Sequence, residues 1–505
     1  MKNCSRAGMI MEETSSLIKI RKDKIKEIRD EMKINPFPYR YDVTHYSSGI
    51  VEGFDSFFES QTEVSVAGRI MAQRIMGKAS FCTIQDRNGR IQLYVSDKNI
   101  GEEKYKLFKK LDIGDIIGVR GTVKKTNAGE ISVFITELTL LAKNIRPLPI
   151  VKEKDGETFD LFADKELRYR NRHVDLIVTP GVRDTFIDRI RIIRHIKNLL
   201  NERDFYEVET PILQPIYGGA AASPFTSHHN ALNIKLYLRI SLEPYLKRLI
   251  VGGFDRVYEI GKCFRNEGID RTHNPEFTML ELYQAYADYE DMMKITEDIF
   301  EQTALAVHGK TKLEFDGKEI ELKTPWRRLK VVDALKEYAG LDVMAMSDDE
   351  LEKAVDKHGG VIKGEYIRGL AIDQLFELLV EDKLVQPTFI THQPVETTPL
   401  CKPDYNDERF LQRFELFING TEFANAYSES NDPVFQRKTL YEQSLRREVD
   451  EEAPPMDENF VQAIEVGMPP TGGLGIGIDR LVMLLTGETS IRDVLLFPTM
   501  KPEQE

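Results

Sequence analysis

Two segments with alternating apolar residues flank a loop that is rich in polar and charged side chains. The segments span residues 255–260 and 278–285, and the loop contains FRNEG at 264–268 and THNPEF at 272–277. A period of two predicts two antiparallel strands joined by this loop. A hairpin of this kind brings the loop residues and one face of each strand to the same place.

The same alternation places Phe277, Glu281 and Tyr283 on one face of the second strand, and we expect the first strand to present Arg265 and Glu267 together. An arginine fork can hold a phosphate and a carboxylate at once, and an aromatic face can stack a purine. The hairpin therefore predicts a site for a nucleoside triphosphate. For an arbitrary Arg-Asn-Glu sequence, a charged and solvated loop would be the better interpretation.

A glycine-rich run, GGLGIGIDR at residues 472–480, leads into an apolar helix predicted at 481–485. Glycines let the backbone approach a ligand closely, and Arg480 would open the helix beside them. The run is not a dinucleotide-binding fingerprint, because Arg480 stands where the third glycine would be and no strand-helix-strand unit precedes it. The sequence also lacks a GxxxxGK[ST] phosphate loop, so ATP would be held in another way.

These two blocks resemble motifs 2 and 3 of the class II aminoacyl-tRNA synthetases. Residues 183–203 and 205–211 resemble the long helix and the strand of motif 1, and the resemblance extends over about residues 63–498. The motif 1 helix carries apolar side chains at helical spacing: Ile187, Ile190, Ile193, Ile196 and Leu200. Within the class, the sequence is most similar to the lysyl-tRNA synthetase family.

The resemblance implies a ligase that activates lysine with ATP and Mg²⁺ and transfers it to the 3′-terminal adenosine of tRNA(Lys). A carboxylate must then attack the α-phosphate, and two anions need positive charge between them. Arg265 would bridge the two groups and Arg480 would hold the γ-phosphate side, so these are the expected catalytic residues. The expected ATP-binding residues are Arg265, Glu267, His273, Asn274, Phe277 and Arg480.

The resemblance also assigns a lysine pocket. Glu243 and Glu429 would bind the side-chain ammonium, because a desolvated ammonium needs counter-charge and hydrogen-bond acceptors. The expected lysine-binding residues are Gly219, Glu243, Arg265, Glu281, Tyr283, Asn425 and Glu429. The chain reads ISLEPY at residues 240–245 where the family usually has IAPELY, so the glutamate stays in register and the proline moves.

Glu415 and Glu422 are the expected ligands of Mg²⁺. Asn419-Gly420 between them predicts a two-residue type I′ turn, which would place the carboxylates diagonally on one sheet face, roughly 7 Å apart. Carboxylates that close are costly unless a cation lies between them, and two solvated glutamates on an edge hairpin are the alternative. Glu422 and Asn425 have opposite strand parity, so both can face a ligand only through a bulge.

Five short alternating segments with a helix near 104–111 predict an OB-fold barrel. The segments are Val64–Met71, Ser80–Gln85, Ile91–Val95, Ile116–Val123 and Ile131–Leu140. Such barrels bind unpaired nucleotides by stacking bases on aromatic rings beside cationic side chains, with Phe81 as the expected plate here. The resemblance implies that Arg74, Phe81, Gln92 and Glu130 read the central anticodon uridine.

The predicted fold is α+β, with the OB-fold barrel followed by a class II catalytic domain whose central antiparallel sheet is flanked by helices. The expected order is an N-terminal helical segment and linker (1–61), the barrel (62–145), a linker (146–180) and the catalytic domain (181–505), with an insertion at about 309–389. A basic helix over 15–33 would either pack on its neighbour or contact RNA.

Bulk properties narrow the class of protein. The net charge of −14 argues against nonspecific coating of nucleic acid, and four cysteines without a C-x-x-C pair suit a reducing cytoplasm. The sequence contains no run of ~18 consecutive apolar residues, so it predicts no membrane-spanning helix. The family's pairing of motif 1 about a twofold axis implies a homodimer. The alternatives are a catalytically inactive, synthetase-like RNA-binding or regulatory protein, and a paralogue that lysylates a translation factor.

Overall fold

The chain divides into two compact units, Met1–Asp164 and Lys165–Glu505. No helix among the described residues combines the length and the apolar character needed to cross a membrane. The structure is a computed structural model that describes residues 15–149, 152–154, 157–159, 162–361, 364–445 and 454–503.

The division between the units falls inside segment 146–180, which the sequence predicted to be a linker. That prediction is wrong for the second half of the segment, which forms the helices Lys165–Arg170 and Arg172–Val178. Arg172 is the physical reason, because its buried guanidinium pairs with Asp175 at 2.7 Å and donates to the main-chain oxygens of residues 492, 495 and 496. These bonds hold the two helices against the C-terminal part of the second unit.

The first unit contains the predicted five-stranded closed barrel, in which the strands follow the order β1-β2-β3-β5-β4. Its strands are β1 (Glu63–Met76), β2 (Ala79–Gln85), β3 (Arg90–Ser96), β4 (Ile116–Lys125) and β5 (Ile131–Ala142), and β6 (Lys152–Lys154) and β7 (Glu157–Phe159) form a separate pair. Its helices after the N-terminal one are Ser47–Glu52, Phe54–Ser60, Asp97–Ile100 and Glu102–Lys110. The period-two alternation predicted from the sequence fills the barrel with apolar side chains.

The N-terminal helix covers residues 15–26 and continues as a π-helical turn, Glu27–Glu31. Its Ile28 is fully buried against the barrel core. Two of its basic residues face the barrel, because Lys24 pairs with Asp112 at 2.7 Å and Arg21 donates to Asn144. This face of the helix therefore packs on its neighbour.

The second unit is built on an eight-stranded sheet in the order β16-β17-β18-β19-β20-β13-β12-β8. Every neighbouring pair is antiparallel except the parallel pair at each edge. The strands of this unit are β8 (Tyr206–Glu207), β9 (Leu213–Gln214), β10 (Thr226–His229), β11 (Ile234–Leu238), β12 (Arg256–Phe264), β13 (Glu276–Ala285), β14 (Lys312–Phe315), β15 (Lys318–Glu321), β16 (Arg327–Lys330), β17 (Thr388–Thr391), β18 (Arg413–Ile418), β19 (Thr421–Ser428) and β20 (Thr471–Gly477).

Helices cover one face of this sheet, where alternate residues of the central strands form the largest core. The helices on that face are Val182–Asn201, Tyr289–His308 and Ile478–Thr486. The remaining helices of the unit are Glu243–Val251, Val331–Ala339, Asp348–Lys357, Arg368–Leu379, Pro433–Leu445, Glu458–Val466 and Ile491–Val494, with short turns at Glu381–Lys383 and Val395–Thr397. Because side chains alternate across a strand, the intervening residues of the central strands point to the opposite face.

The apolar side chains predicted for the long helix Val182–Asn201 divide between two sides of the helix. Ile196 and Leu200 are buried, but Ile190 is 56% exposed, and Phe186 and Ile192 fill the inner side instead. The helix therefore carries apolar residues on two adjacent sides. The side that begins with the bulky Phe186 faces the core, and the side that carries Ile190 does not.

The stretch 309–389 is only partly an insertion. The helices Val331–Ala339, Asp348–Lys357 and Arg368–Leu379 lie in this stretch and share a core of their own, but β16 and the start of β17 lie in it as well. Strand β17 pairs with both β16 and β18, so β16 and β17 form one edge of the central sheet. The insertion is therefore anchored in the sheet.

Candidate functional site

A cavity of about 480 Å³ lies on the sheet face opposite the helical core. It brings together all the residues that were predicted to bind ATP, lysine and Mg²⁺. They are Gly219, Glu243, Arg265, Glu267, His273, Asn274, Phe277, Glu281, Tyr283, Glu415, Glu422, Asn425, Glu429 and Arg480. Their individual roles stay predictions.

Glu243 is the first residue of the helix Glu243–Val251, and Pro244 follows it in the first turn. Proline is tolerated there because the first helical N–H groups have no partner within the helix. The displaced proline of ISLEPY therefore keeps Glu243 at the cavity wall. Just before this helix, the Ser241 hydroxyl and the Leu242 N–H donate to one oxygen of Glu281, both at 3.0 Å.

Three carboxyl groups meet at this end of the cavity. Glu243, Glu281 and Glu429 are 6%, 4% and 0% exposed. Burial raises the pKa of Glu281 to about 7, although the Leu242 N–H opposes it. Burial raises the pKa of Glu429, against the lowering effect of the Lys247 ammonium. Such crowded, desolvated carboxyl groups favour a cationic ligand.

Gly473 on β20 makes room for this cluster. A Cβ atom at this position would lie 1.9 Å from Oε1 of Glu429 and 2.6 Å from the ring of Tyr283. The first glycines of the predicted glycine-rich run thus create space for protein side chains, as well as leaving the cavity floor bare. Gly475, two residues later, differs because the nearest atom to a Cβ there would be the methyl end of Met279, at an ordinary contact distance of 3.4 Å.

The other end of the cavity carries the arginines. Arg265 lies in the loop after β12, so the prediction that the first strand itself presents Arg265 and Glu267 is wrong: the strand ends at Phe264. Both residues nevertheless line the cavity. The Arg265 guanidinium carbon lies 5.2 Å from the ring centre of Phe277, and its buried Nε has no hydrogen-bond partner among the described residues.

Arg480 reaches from the start of the helix Ile478–Thr486 toward both neighbouring elements. It donates to the main-chain oxygen of Glu422 at 2.5 Å and lies 3.2 Å from Nε2 of His273. The other ring nitrogen of His273 lies 2.8 Å from Asp270. Asn274 is already engaged, because its amide donates to Glu276 O and accepts from Thr499 N–H. Its observed bonds shape the loop.

The hairpin that carries the predicted metal ligands forms as expected. Asn419 and Gly420 both have positive φ, 51° and 68°, as a type I′ turn requires, and Phe417 pairs with Glu422. A bulge then shifts the register, so that Glu415 pairs with Asn425. The bulge predicted from strand parity is therefore confirmed, and both β19 side chains reach the cavity.

Arg413 binds the first of these carboxylates. It is buried, contacts Glu415, and donates to Oδ1 of Asn425 at 3.2 Å and to Thr397 at 3.1 Å. Burial raises the pKa of Glu415 to about 7, with Arg413 lowering it and Glu422 raising it. The described residues contain no group of three metal-ligating side chains, so the hairpin offers a divalent cation two carboxylates.

In the barrel, Arg74 on β1 pairs directly with Phe81 on β2, and Gln92 on β3 accepts a hydrogen bond from Ser132 at 2.8 Å. Arg74 and the loop residue Glu130 are exposed. Phe81 begins a row of rings that continues across neighbouring strands to Tyr94, at 5.6 Å, and then to Phe134, at 4.6 Å.

Sequence reasoning missed Lys247 and Arg413 near the cavity, and Tyr94 and Phe134 in the barrel. Lys247 stands four residues after Glu243, and such a pair on a helix usually marks an exposed ion pair. The other three lie on strands whose neighbours are not adjacent in sequence. Only the cross-strand register shows which side chains they meet.

Comparisons with known proteins give a family match for each of the two units. Residues 164–501 match the family model of class II tRNA synthetases for D, K and N, and residues 64–141 match an OB-fold nucleic acid binding domain. The chain is 52% identical to a lysine–tRNA ligase of Clostridium botulinum, and the match covers 97% of both chains. It is 50% identical to the lysine–tRNA ligases of Clostridium novyi and Syntrophomonas wolfei, over 97% of this chain and 95% and 97% of theirs.

Gly473→Ala should destabilise the fold by about 1–3 kcal/mol, because the added methyl forces buried side chains apart. Gly475→Ala is the matched control on the same strand and the same face, and it should change the unfolding free energy by less than about 1 kcal/mol. Urea unfolding of the two variants and the parent measures the difference. Equal stability of the two variants would contradict the space-making role of Gly473.

Proposed function

Because the chain belongs to the class II aminoacyl-tRNA synthetases, within the lysine–tRNA ligase family, we propose how its cavity performs the reaction of that family. The enzyme is an ATP-dependent ligase that joins lysine to tRNA. The observation that carries the proposal is the distribution of charge in the cavity. Buried carboxyl groups gather at one end, and Arg265 and Arg480 stand at the other.

The acidic end binds lysine. Glu243 and Glu429 take the side-chain ammonium, and Tyr283 closes the pocket as a neutral partner. Glu281 receives the α-ammonium; its Oε1 already accepts bonds from Ser241 and Leu242, which fix its orientation. Asn425 faces the carboxylate of the substrate. A neutral or anionic side chain would leave the excess negative charge of these buried carboxylates uncompensated, which costs binding free energy.

The basic end binds ATP, with Phe277 stacking the adenine, and with Glu267, His273 and Asn274 beside the nucleotide. Arg265 bridges the lysine carboxylate and the α-phosphate, and its unpartnered Nε leaves donor capacity for this contact. One carboxylate oxygen forms a bond to the α-phosphorus, and the bond from that phosphorus to the bridging oxygen of pyrophosphate breaks. The nucleophile is already ionised, so no side chain needs to remove a proton. Arg480 holds the γ-phosphate of the leaving group.

Glu415 and Glu422 suit a Mg²⁺ ion. Like charges that raise the pKa of a buried carboxyl favour a cation between them, and Mg²⁺ commonly binds one or two protein carboxylates together with substrate phosphates. When bound, the ion would neutralise phosphate charge during transfer. Arg413 keeps Glu415 and Asn425 in place through one guanidinium group.

ATP–pyrophosphate exchange, screened over all amino acids, tests this assignment, and lysine should drive it. Glu429→Gln should raise the Michaelis constant for lysine at least ~tenfold and change that for ATP less than ~threefold, because the change is confined to the acidic end of the cavity. Arg265→Ala should instead lower the adenylation rate by about two orders of magnitude or more. Comparable losses for both substrates in the Glu429 variant would place this residue outside the lysine pocket.

The barrel supplies the tRNA contact. Arg74, Phe81, Gln92 and Glu130 read an unpaired anticodon base, with the ring of Phe81 as the stacking surface. The rings of Tyr94 and Phe134 extend this surface across β3 and β5. An inactive RNA-binding relative would share this barrel, but it would have no use for the complete set of cavity residues.

Phe81→Ala should weaken tRNA binding by ~1–3 kcal/mol, the usual contribution of one stacked base. Pyrophosphate exchange without tRNA should stay at the parental rate, which is the internal control for folding. Filter binding of tRNA(Lys) and the charging rate measure the effect. Unchanged affinity would mean that Phe81 only packs against Tyr94.

The chain acts as a homodimer through the outer side of motif 1. Exposed apolar side chains gather on this region and would be covered by the same patch of a second copy. They are Ile190, Tyr206, Ile212, Leu213 and Phe254, with exposures of 56%, 64%, 45%, 50% and 42%.

Ile190→Asp with Leu213→Asp should convert the dimer to monomers, because both side chains are exposed and neither change disturbs the core. Ile193 is left intact, since it packs against the core. Analytical ultracentrifugation gives the oligomeric state, and exposed Val361→Asp, outside this patch, is the control. A monomeric parent protein would refute the proposal.

A further inference from the structure

Lys247 is a fully buried charged residue next to the predicted lysine pocket, and the reaction described above assigns it no role. It is 0% exposed, its ammonium lies 2.5 Å from Oε1 of Glu243, and it also pairs with Glu429. The ring centre of Phe460 lies 5.8 Å away. One internal ammonium therefore joins the two carboxylates that would bind the ammonium of the substrate.

Lys247 stands behind these carboxylates. Glu243 and Glu429 line the cavity, but Lys247 does not. The two oxygens of Glu429 receive no hydrogen bond of good geometry from the described residues, so the carboxylate keeps acceptor capacity for a ligand. A substrate ammonium can approach from the cavity while Lys247 stays in contact from the other side.

The charges of this cluster leave one position for a cation. Burial lowers the pKa of Lys247, but Glu243 and Glu429 outweigh burial and raise it, so this side chain stays an ammonium. Two carboxylates and one ammonium leave a single negative charge. The other titratable groups around them are Glu281 and Tyr283 on β13, Tyr427 on β19 and Cys401.

We propose that Lys247 is a positioning residue that aligns Glu243 and Glu429 through its contacts with both and offsets one of their two negative charges, and thereby sets the pocket to accept a single positive charge. This inference rests on the proposed lysine site and adds a determinant of its specificity. Without Lys247, Glu243 would raise the pKa of the buried Glu429 unopposed, because like charges disfavour the ionised form. With Lys247 and one substrate ammonium in place, two positive charges face the two carboxylates, and the cluster is neutral.

A double-mutant cycle tests the proposal, with the dissociation constant of lysine measured by calorimetry on the full chain. Glu243→Gln alone leaves a neutral cluster in which Lys247 repels the substrate, and affinity should fall at least ~tenfold. Lys247→Met keeps the length of the side chain, removes its charge and should also weaken binding. The double variant removes the internal ammonium together with one carboxyl group, so Lys247 no longer repels the substrate ammonium at Glu429, and lysine should bind at least ~fivefold more tightly than to Glu243→Gln.

The lysine dissociation constants of Glu243→Gln and the double variant test the role of Lys247 even if Lys247→Met alone fails to fold. A merely structural Lys247 would make the two losses additive, and the double variant would then bind lysine more weakly than Glu243→Gln. That result would overturn the proposal. The Michaelis constant for ATP should stay within ~threefold of the parental value in the single glutamine variant and in the double variant.

Norleucine, which has a methyl group in place of the ammonium, provides a second readout. Discrimination between lysine and norleucine in pyrophosphate exchange should fall in Glu243→Gln and recover in the double variant. Unchanged discrimination across the cycle would also overturn the role of Lys247. If lysine did not drive pyrophosphate exchange by the parent enzyme, the proposed function itself would be refuted. This outcome is distinguishable from a failure of the role proposed for Lys247 alone.

Discussion

The bare face of β20 is the constraint on which the rest of the cavity depends. This strand lies between β13 and β19 in the centre of the sheet, and its Leu474 and Ile476 point into the helical core. The residues between them, Gly473, Gly475 and Gly477, have no side chains to fill the opposite face. The carboxyl groups of the neighbouring strands occupy part of the freed volume, and the remainder is the cavity. A strand with ordinary alternation would pack both faces and leave no site.

Asp479 connects this strand to the rest of the scaffold. One of its oxygens accepts the Thr278 N–H of β13 at 2.7 Å, and the other accepts from Arg189 of the long helix at 2.6 Å. Arg480 follows directly, so the residue proposed to hold the γ-phosphate side is positioned by a buried network that joins all three motifs. Through Arg189 the motif 1 helix thus helps to position a site that it does not line.

Much of the site could be predicted from local rules. The alternation of β13 placed Glu281 and Tyr283 on one face, and Asn419-Gly420 with the parity of Asn425 required the observed turn and bulge. Such features depend on residues that are close in sequence. The choice of Phe186 over Ile190 for the core, and the contact of Arg413 with Asn425, depend on which surface a neighbour presents. Those contacts follow from tertiary packing, which one sequence pattern leaves open.

The two ends of the cavity need opposite solutions to the same electrostatic problem. At the basic end, phosphates bring several negative charges, and arginines that remain charged at any working pH can meet them without proton exchange. At the acidic end, burial pushes the pKa values of Glu281 and Glu429 upward, because it disfavours their charged form. An internal ammonium next to Glu429 opposes this shift. Two buried carboxylates that face one substrate cation are therefore stabilised when the protein itself compensates the second negative charge.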